Sequence, residues 1–99
     1  MTINIHYIKM PPSAALNEFV DKKLQKLAKK YEWLIRADVR FKMENNVYRK
    51  GNICEIELSL PGPKIFAHST SETFEAAAKE TTSDLANQLK KRRSNFTTY

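Results

Sequence analysis

The chain has 99 residues, 41% of them hydrophobic and 28% charged, with a net charge of +6 and a sequence pI near 9.6. This length and balance fit one globular domain over residues 1–99 with a single core, and exclude a disordered chain. The positive excess disfavours basic partners and favours RNA, DNA or an anionic surface. No apolar run reaches the ~20 residues of a membrane span, so no membrane partner is expected. Cys54 is the only cysteine. No internal disulfide can form, and a reducing cytoplasm is the expected compartment.

Ile3, Ile5 and Tyr7 alternate with Asn4 and His6, which predicts a short half-buried strand. Pro11-Pro12-Ser13 follows, and the Ser13 hydroxyl is suited to cap a helix. Leu16, Val20, Leu24, Leu27 and Tyr31 then recur at helical spacing. Residues 35–44 alternate apolar and charged without a break, which predicts a strand with one buried and one wet face. A polar hairpin loop is expected from Asn45 to Gly51. A third strand repeats the alternation at Cys54, Ile56, Leu58 and Leu60. Pro61-Gly62-Pro63 has Pro and Gly in the order of a type II turn. Lys64 to Ser69 forms a fourth strand in which either Ile65 and Ala67 or Phe66 and His68 could face inward. A last helix is expected from about Glu72 to Arg93, capped by Thr70 or Ser71. Its buried stripe is Phe74, Ala78, Thr81, Leu85 and Leu89, and residues 94–99 are left as a short tail.

The order β-α-β-β-β-α predicts an α+β fold, a four-stranded sheet with two roughly parallel helices on one face. A right-handed first crossover brings the helices to the same side.

Ten of the 17 basic residues fall on the two helices. On a helical wheel of the first, Lys22, Lys26 and Lys29 lie opposite the buried stripe, flanked by Lys23 and Lys30. Glu18, Asp21 and Gln25 lie on the other flank. A purely solvated face interleaves its signs, so this segregation points to an anionic partner. On the second helix Lys79, Ser83, Ala86, Lys90 and Arg93 share an edge, and Lys91 and Arg92 extend the charge around the last turn. Cations at a helix C-terminus gain ~0.3–1 kcal/mol each from the macrodipole, but four in succession also repel one another. A basic surface on rigid helices suits recognition of phosphate spacing and shape. The aromatic submotifs of an RRM and the Gly-x-x-Gly loop of a KH domain are both missing. Tyr48, Arg49 and Lys50 could add a loop contact, with an ordinary polar loop the equal alternative.

Catalytic chemistry has little to stand on. His6 and His68 are far apart, and Cys54 is in phase with buried residues. Glu55 and Glu57 are the wet side of a strand, and Trp33 closes the first helix against the core or stacks on a base. No enzyme activity, metal or cofactor is expected.

Leu16-Asn17-Glu18-Phe19-Val20, Lys23 and Lys26-Leu27 resemble the first-helix pattern of the ribosome hibernation-promoting factors, also called sigma-54 modulation proteins. Phe74-Glu75-Ala76-Ala77 and Asp84-Leu85-Ala86-Asn87-Gln88-Leu89-Lys90-Lys91 resemble the second helix of that family. The resemblance implies a fold similar to a double-stranded-RNA-binding domain with an extra strand. It also implies binding to ribosomal RNA of the small subunit, between head and body. There the protein would fill the space of messenger RNA and of transfer RNA, silencing ribosomes in starved or stationary-phase cells. Longer family members add a domain that pairs ribosomes. This sequence resembles the short form, expected to be monomeric off the ribosome.

The family's rRNA-facing positions correspond to Lys23, Lys26, Lys91 and Arg93. The wheel adds Lys22, Lys29, Lys79, Lys90 and Arg92. Ala77-Ala78-Lys79 departs from a common Ala-Ile-Asp segment, and Asp84 and Asn87 replace residues that are often basic. Two other readings remain open, a general double-stranded-RNA-binding module and a protein-interaction modulator of transcription.

Overall fold

Six elements follow one another in the computed structural model, which describes residues 1–45 and 50–96. They are β1 (Thr2–Tyr7), α1 (Ala14–Lys30), β2 (Arg36–Asn45), β3 (Lys50–Ser59), β4 (Ile65–Ser71) and α2 (Phe74–Phe96). The sheet order is β1-β2-β3-β4. β1 pairs parallel to β2 across the α1 crossover, and the remaining pairs are antiparallel. The α+β expectation and its element order hold.

Register explains the core. Ile5, Val39, Ile56 and Ala67 stand side by side across all four strands, and Ile3, Ala37, Leu58 and Ile65 form the next row. These residues share one sheet face because side chains alternate along a strand. Both helices cover that face: α2 lies on β3 and β4, and α1 lies beside α2 on the β1 side. One hydrophobic cluster joins them through Leu16, Val20, Leu24 and Leu27 of α1 and Ala77, Ala78, Leu85 and Leu89 of α2. The apolar alternation of residues 35–44 outruns this cover. Ile35 and Met43 sit at its two ends and are 58% and 62% exposed.

Ser13 caps α1, its hydroxyl accepting from the Leu16 amide at 3.2 Å. Ser13→Ala should therefore lower stability by about 1 kcal/mol in urea unfolding. The β4 ambiguity resolves with Ile65 and Ala67 inward and Phe66 and His68 outward. Gly62 has φ +91°, the left-handed value required at the third position of a type II turn.

Four boundaries differ from expectation. β4 extends through Ser71, so Thr70 and Ser71 belong to the sheet. Thr73 caps α2 instead, its hydroxyl accepting from the Ala76 amide at 3.1 Å. α2 continues to Phe96, into the segment expected as tail. The β2–β3 loop is shorter than expected, because the strands stay paired out to Asn45 and Lys50. Tyr48 and Arg49 lie outside the described residues. No helix among them is long and apolar enough to cross a membrane.

Candidate nucleic-acid interface

The packing of α1 against α2 decides where the cations point. The buried stripe of α1 is Leu16, Val20, Leu24 and Leu27. At 100° per residue, Lys23, Lys26 and Lys30 fall on the flank that faces α2. On α2 the facing edge is built from small residues, Thr82, Ser83 and Ala86. The Thr82 hydroxyl is spent internally, donating to the Ala78 carbonyl at 2.9 Å and the Lys79 carbonyl at 3.1 Å. Small side chains here leave a furrow between the two helices.

This furrow has two depressions. One, of about 320 Å³, is lined by Lys23, Lys26, Leu27, Lys79, Thr82, Ser83 and Ala86. The other, of about 310 Å³, is lined by Lys30, Tyr31, Lys90, Arg93 and Ser94. Earlier residues of α1 face earlier residues of α2, and later face later, so the helices run in the same direction. Six cations border the furrow and no carboxylate lines either depression.

The outer helix surfaces differ. The hollow on the outer side of α1 sets Asp21 beside Lys22 and Lys29 and is shared by Lys23 and Lys26, and that on α2 sets Glu80 and Asp84 beside Lys79. Lys22 pairs with Glu18 at 3.2 Å. The open sheet face is also self-neutralised, with Arg36–Asp38, Lys42–Glu55 and Lys64–Glu57 at 3.0, 3.3 and 3.2 Å. Glu55 and Glu57 are thus ion-pair partners on a wet surface. Among the described residues, Lys23, Lys26, Lys30, Lys79 and Lys90 make no such pair.

Aromatic rings steady the furrow's cations without cancelling their charge. Lys23 Nζ stands 5.6 Å from the centroid of Phe19. Lys30 Nζ and Arg93 Cζ stand 5.6 and 5.8 Å from that of Tyr31. Tyr31 is itself buried, and Trp33 packs edge-on against it at 5.5 Å. Trp33 thus closes the end of α1 against the core.

Five of the nine basic residues singled out in the sequence come together here: Lys23, Lys26, Lys79, Lys90 and Arg93. Lys30, which the wheel places with Lys23 on the flank of the basic face, joins them. Lys22 and Lys29 are on the outer side of α1, and Lys91 is exposed but borders neither depression. Arg92 has a structural task. Its guanidinium donates to the Pro63 carbonyl at 3.0 Å and the Pro61 carbonyl at 3.5 Å, holding the β3–β4 turn to α2. Beside it, Gln88 Nε2 donates to the Phe66 carbonyl at 3.1 Å, so α2 also shields the outer edge of β4.

Among the described residues, no cluster of three or more His, Cys, Asp or Glu is placed to hold a metal. Cys54 is fully buried, and that burial pushes its thiol up to about 11, with Glu55 adding to the shift and Thr81 opposing it. At pH 8 a thiol reagent should therefore label the native chain far more slowly than the urea-unfolded chain; equal rates would contradict this placement.

The profile of the family described as Sigma 54 modulation protein / S30EA ribosomal protein matches residues 3–96. Two solved structures are similar. One is a ribosomal subunit interface protein from Coxiella burnetii, with TM-score 0.83 and 23% identity over 95% of this chain and 99% of that one. Another is the N-terminal domain of Protein Y from Thermus thermophilus, with TM-score 0.79 and 24% identity over 92% of this chain and 98% of that one. At these identities the two structures speak to the fold. No curated protein matches the sequence.

Proposed function

The chain belongs to the sigma 54 modulation protein / S30EA ribosomal protein family, and on that premise we propose that it is a ribosome-associated inhibitor of translation that docks on small-subunit ribosomal RNA through the furrow between α1 and α2. Bound there, it fills the space of messenger RNA and of transfer RNA and keeps idle ribosomes silent during starvation or stationary phase. Its mechanism is steric. The rigid two-helix layer supplies bulk, and Lys23, Lys26, Lys30, Lys79, Lys90 and Arg93 anchor it to phosphate. No covalent step is involved. A cytoplasmic location follows from a ribosomal partner.

The observation that carries this reading is the acid-free furrow on a protein whose open sheet face carries three ion pairs. A lysine-rich surface serving only solubility gains nothing by expelling every carboxylate from the contact between two helices. Clustered cations meeting phosphates gain from counterion release.

Sedimentation of the chain with purified small subunits tests the proposal. Co-migration in low salt is expected, and a chain that stays at the top of the gradient contradicts it. With about six phosphate contacts, log Kd plotted against log salt should rise with a slope of roughly 4, using ~0.7 per contact on single-stranded backbone. A slope near 1 would mean that the furrow does not meet the RNA. Competition with a plain RNA duplex separates ribosome docking from general duplex binding: small subunits should win at equal phosphate concentration.

A further inference from the structure

The furrow has the means to bind phosphate but little with which to recognise a base. Its aromatic ring, Tyr31, is only 2% exposed and cannot stack on a base. The Thr82 hydroxyl already donates within α2. The other contributors are aliphatic or cationic, apart from the Ser83 and Ser94 hydroxyls. No Asn, Gln, Asp or Glu lines either depression, so the amide and carboxylate groups suited to reading adenine and cytosine edges are missing, and the cations that could meet guanine serve phosphate equally.

Its form is a track. Lys23 to Lys30 spans seven residues of α1, about 10 Å along the axis, and Lys79 to Arg93 spans about 20 Å of α2. The two edges run in the same direction, so a linear anion can lie between them and meet cations from both sides. Orthophosphate could engage one depression at a time, while a chain of phosphates can engage both.

We infer that the furrow also binds unesterified linear polyphosphate, and that this polymer competes with ribosomal RNA for the chain. The inference rests on the rRNA reading for the competition but not for the binding. A site lined mainly by cations has little with which to reject a chain that carries phosphate charge but lacks sugars and bases. Occupancy of the furrow then becomes a balance between two polyanions, and a rise in free polyphosphate releases the protein from the ribosome.

Direct titration of the free chain with long-chain polyphosphate is the test, with orthophosphate at matched ionic strength as the reference. Polyphosphate should bind at least tenfold more tightly per phosphate. The double variant Lys26→Glu/Lys79→Glu should lose at least tenfold in that affinity. Lys9→Glu/Arg40→Glu, with the same change in net charge at exposed residues away from both helices, should lose less than threefold. Equal losses in the two variants, or polyphosphate binding no better than orthophosphate, would overturn the inference. Adding polyphosphate to preformed complexes with small subunits should move the chain to the top of the gradient, and full retention at saturating polymer would overturn the competition. Failure to sediment with subunits in the absence of polymer would instead count against the rRNA reading and leave the titration result standing.

Discussion

Exchanging Lys26 and Lys79 for glutamate should weaken binding to small ribosomal subunits by about a hundredfold or more, with the fold intact. The two residues border the same depression from opposite helices, and no ion pair engages either one among the described residues. Each exchange removes an attraction and installs a repulsion against the same phosphate track. A tenfold loss is ~1.4 kcal/mol, a modest demand for reversing one charge at a contact. Both side chains are exposed, so the unfolding midpoint should hardly move. The control is Lys9→Glu/Arg40→Glu, which changes net charge equally at exposed residues away from both helices. It should cost less than about tenfold, mostly through slower electrostatic steering. Equal losses from the two pairs would show that net charge matters and placement does not.

The second large effect concerns stability. Phe41→Ala should destabilise the chain by about 3–5 kcal/mol in urea unfolding. Phe41 is fully buried on β2, stacked on Tyr7 of β1 at 5.3 Å and edge-on to Phe74 of α2 at 5.7 Å. It lies opposite Cys54 of β3. One ring thus joins three strands and the start of α2, and its neighbours cannot close the void without moving the sheet against the helix. Set against a total of roughly 5–15 kcal/mol, such a loss removes a large share of the margin. A cost below about 1 kcal/mol would contradict this account of the core.

Alternation in residues 35–44 and 54–60 is unambiguous, and it correctly indicated two long strands sharing one dry face. It could not show where the helical cover ends, which is why Ile35 and Met43 look buried in sequence and are exposed in the fold. Ile65-Phe66-Ala67-His68 is apolar or aromatic in both phases, so its facing depends on tertiary context: Ile65 and Ala67 stand opposite Leu58 and Ile56. The cap of α2 was hidden among hydroxyls. Ser71 pairs with Asn52 at the end of β4, and Asn52 Nδ2 also donates to the Glu72 carbonyl at 2.7 Å. Thr73 is thus the first hydroxyl residue free to begin the helix.

The interface was legible in part. Spacing alone grouped Lys79, Ser83, Ala86, Lys90 and Arg93 on one edge. Adjacent basic residues are separated by 100° on a helix, so the run Lys90 to Arg93 cannot act as one patch. Arg92 falls towards the sheet and binds turn carbonyls, while Lys91 stands away from α1. Lys30 joins Lys90 and Arg93 only because the two helices are parallel and close, a relation that no single-helix wheel contains.

A cryo-electron map of the chain on the small subunit tests the central claim most directly. The account predicts ribosomal phosphates lying along the furrow, within contact of Lys26, Lys79 and Arg93, and the ion-paired sheet face of Glu55 and Glu57 turned away from RNA. A map with the sheet face on the RNA and the furrow open to solvent would contradict it.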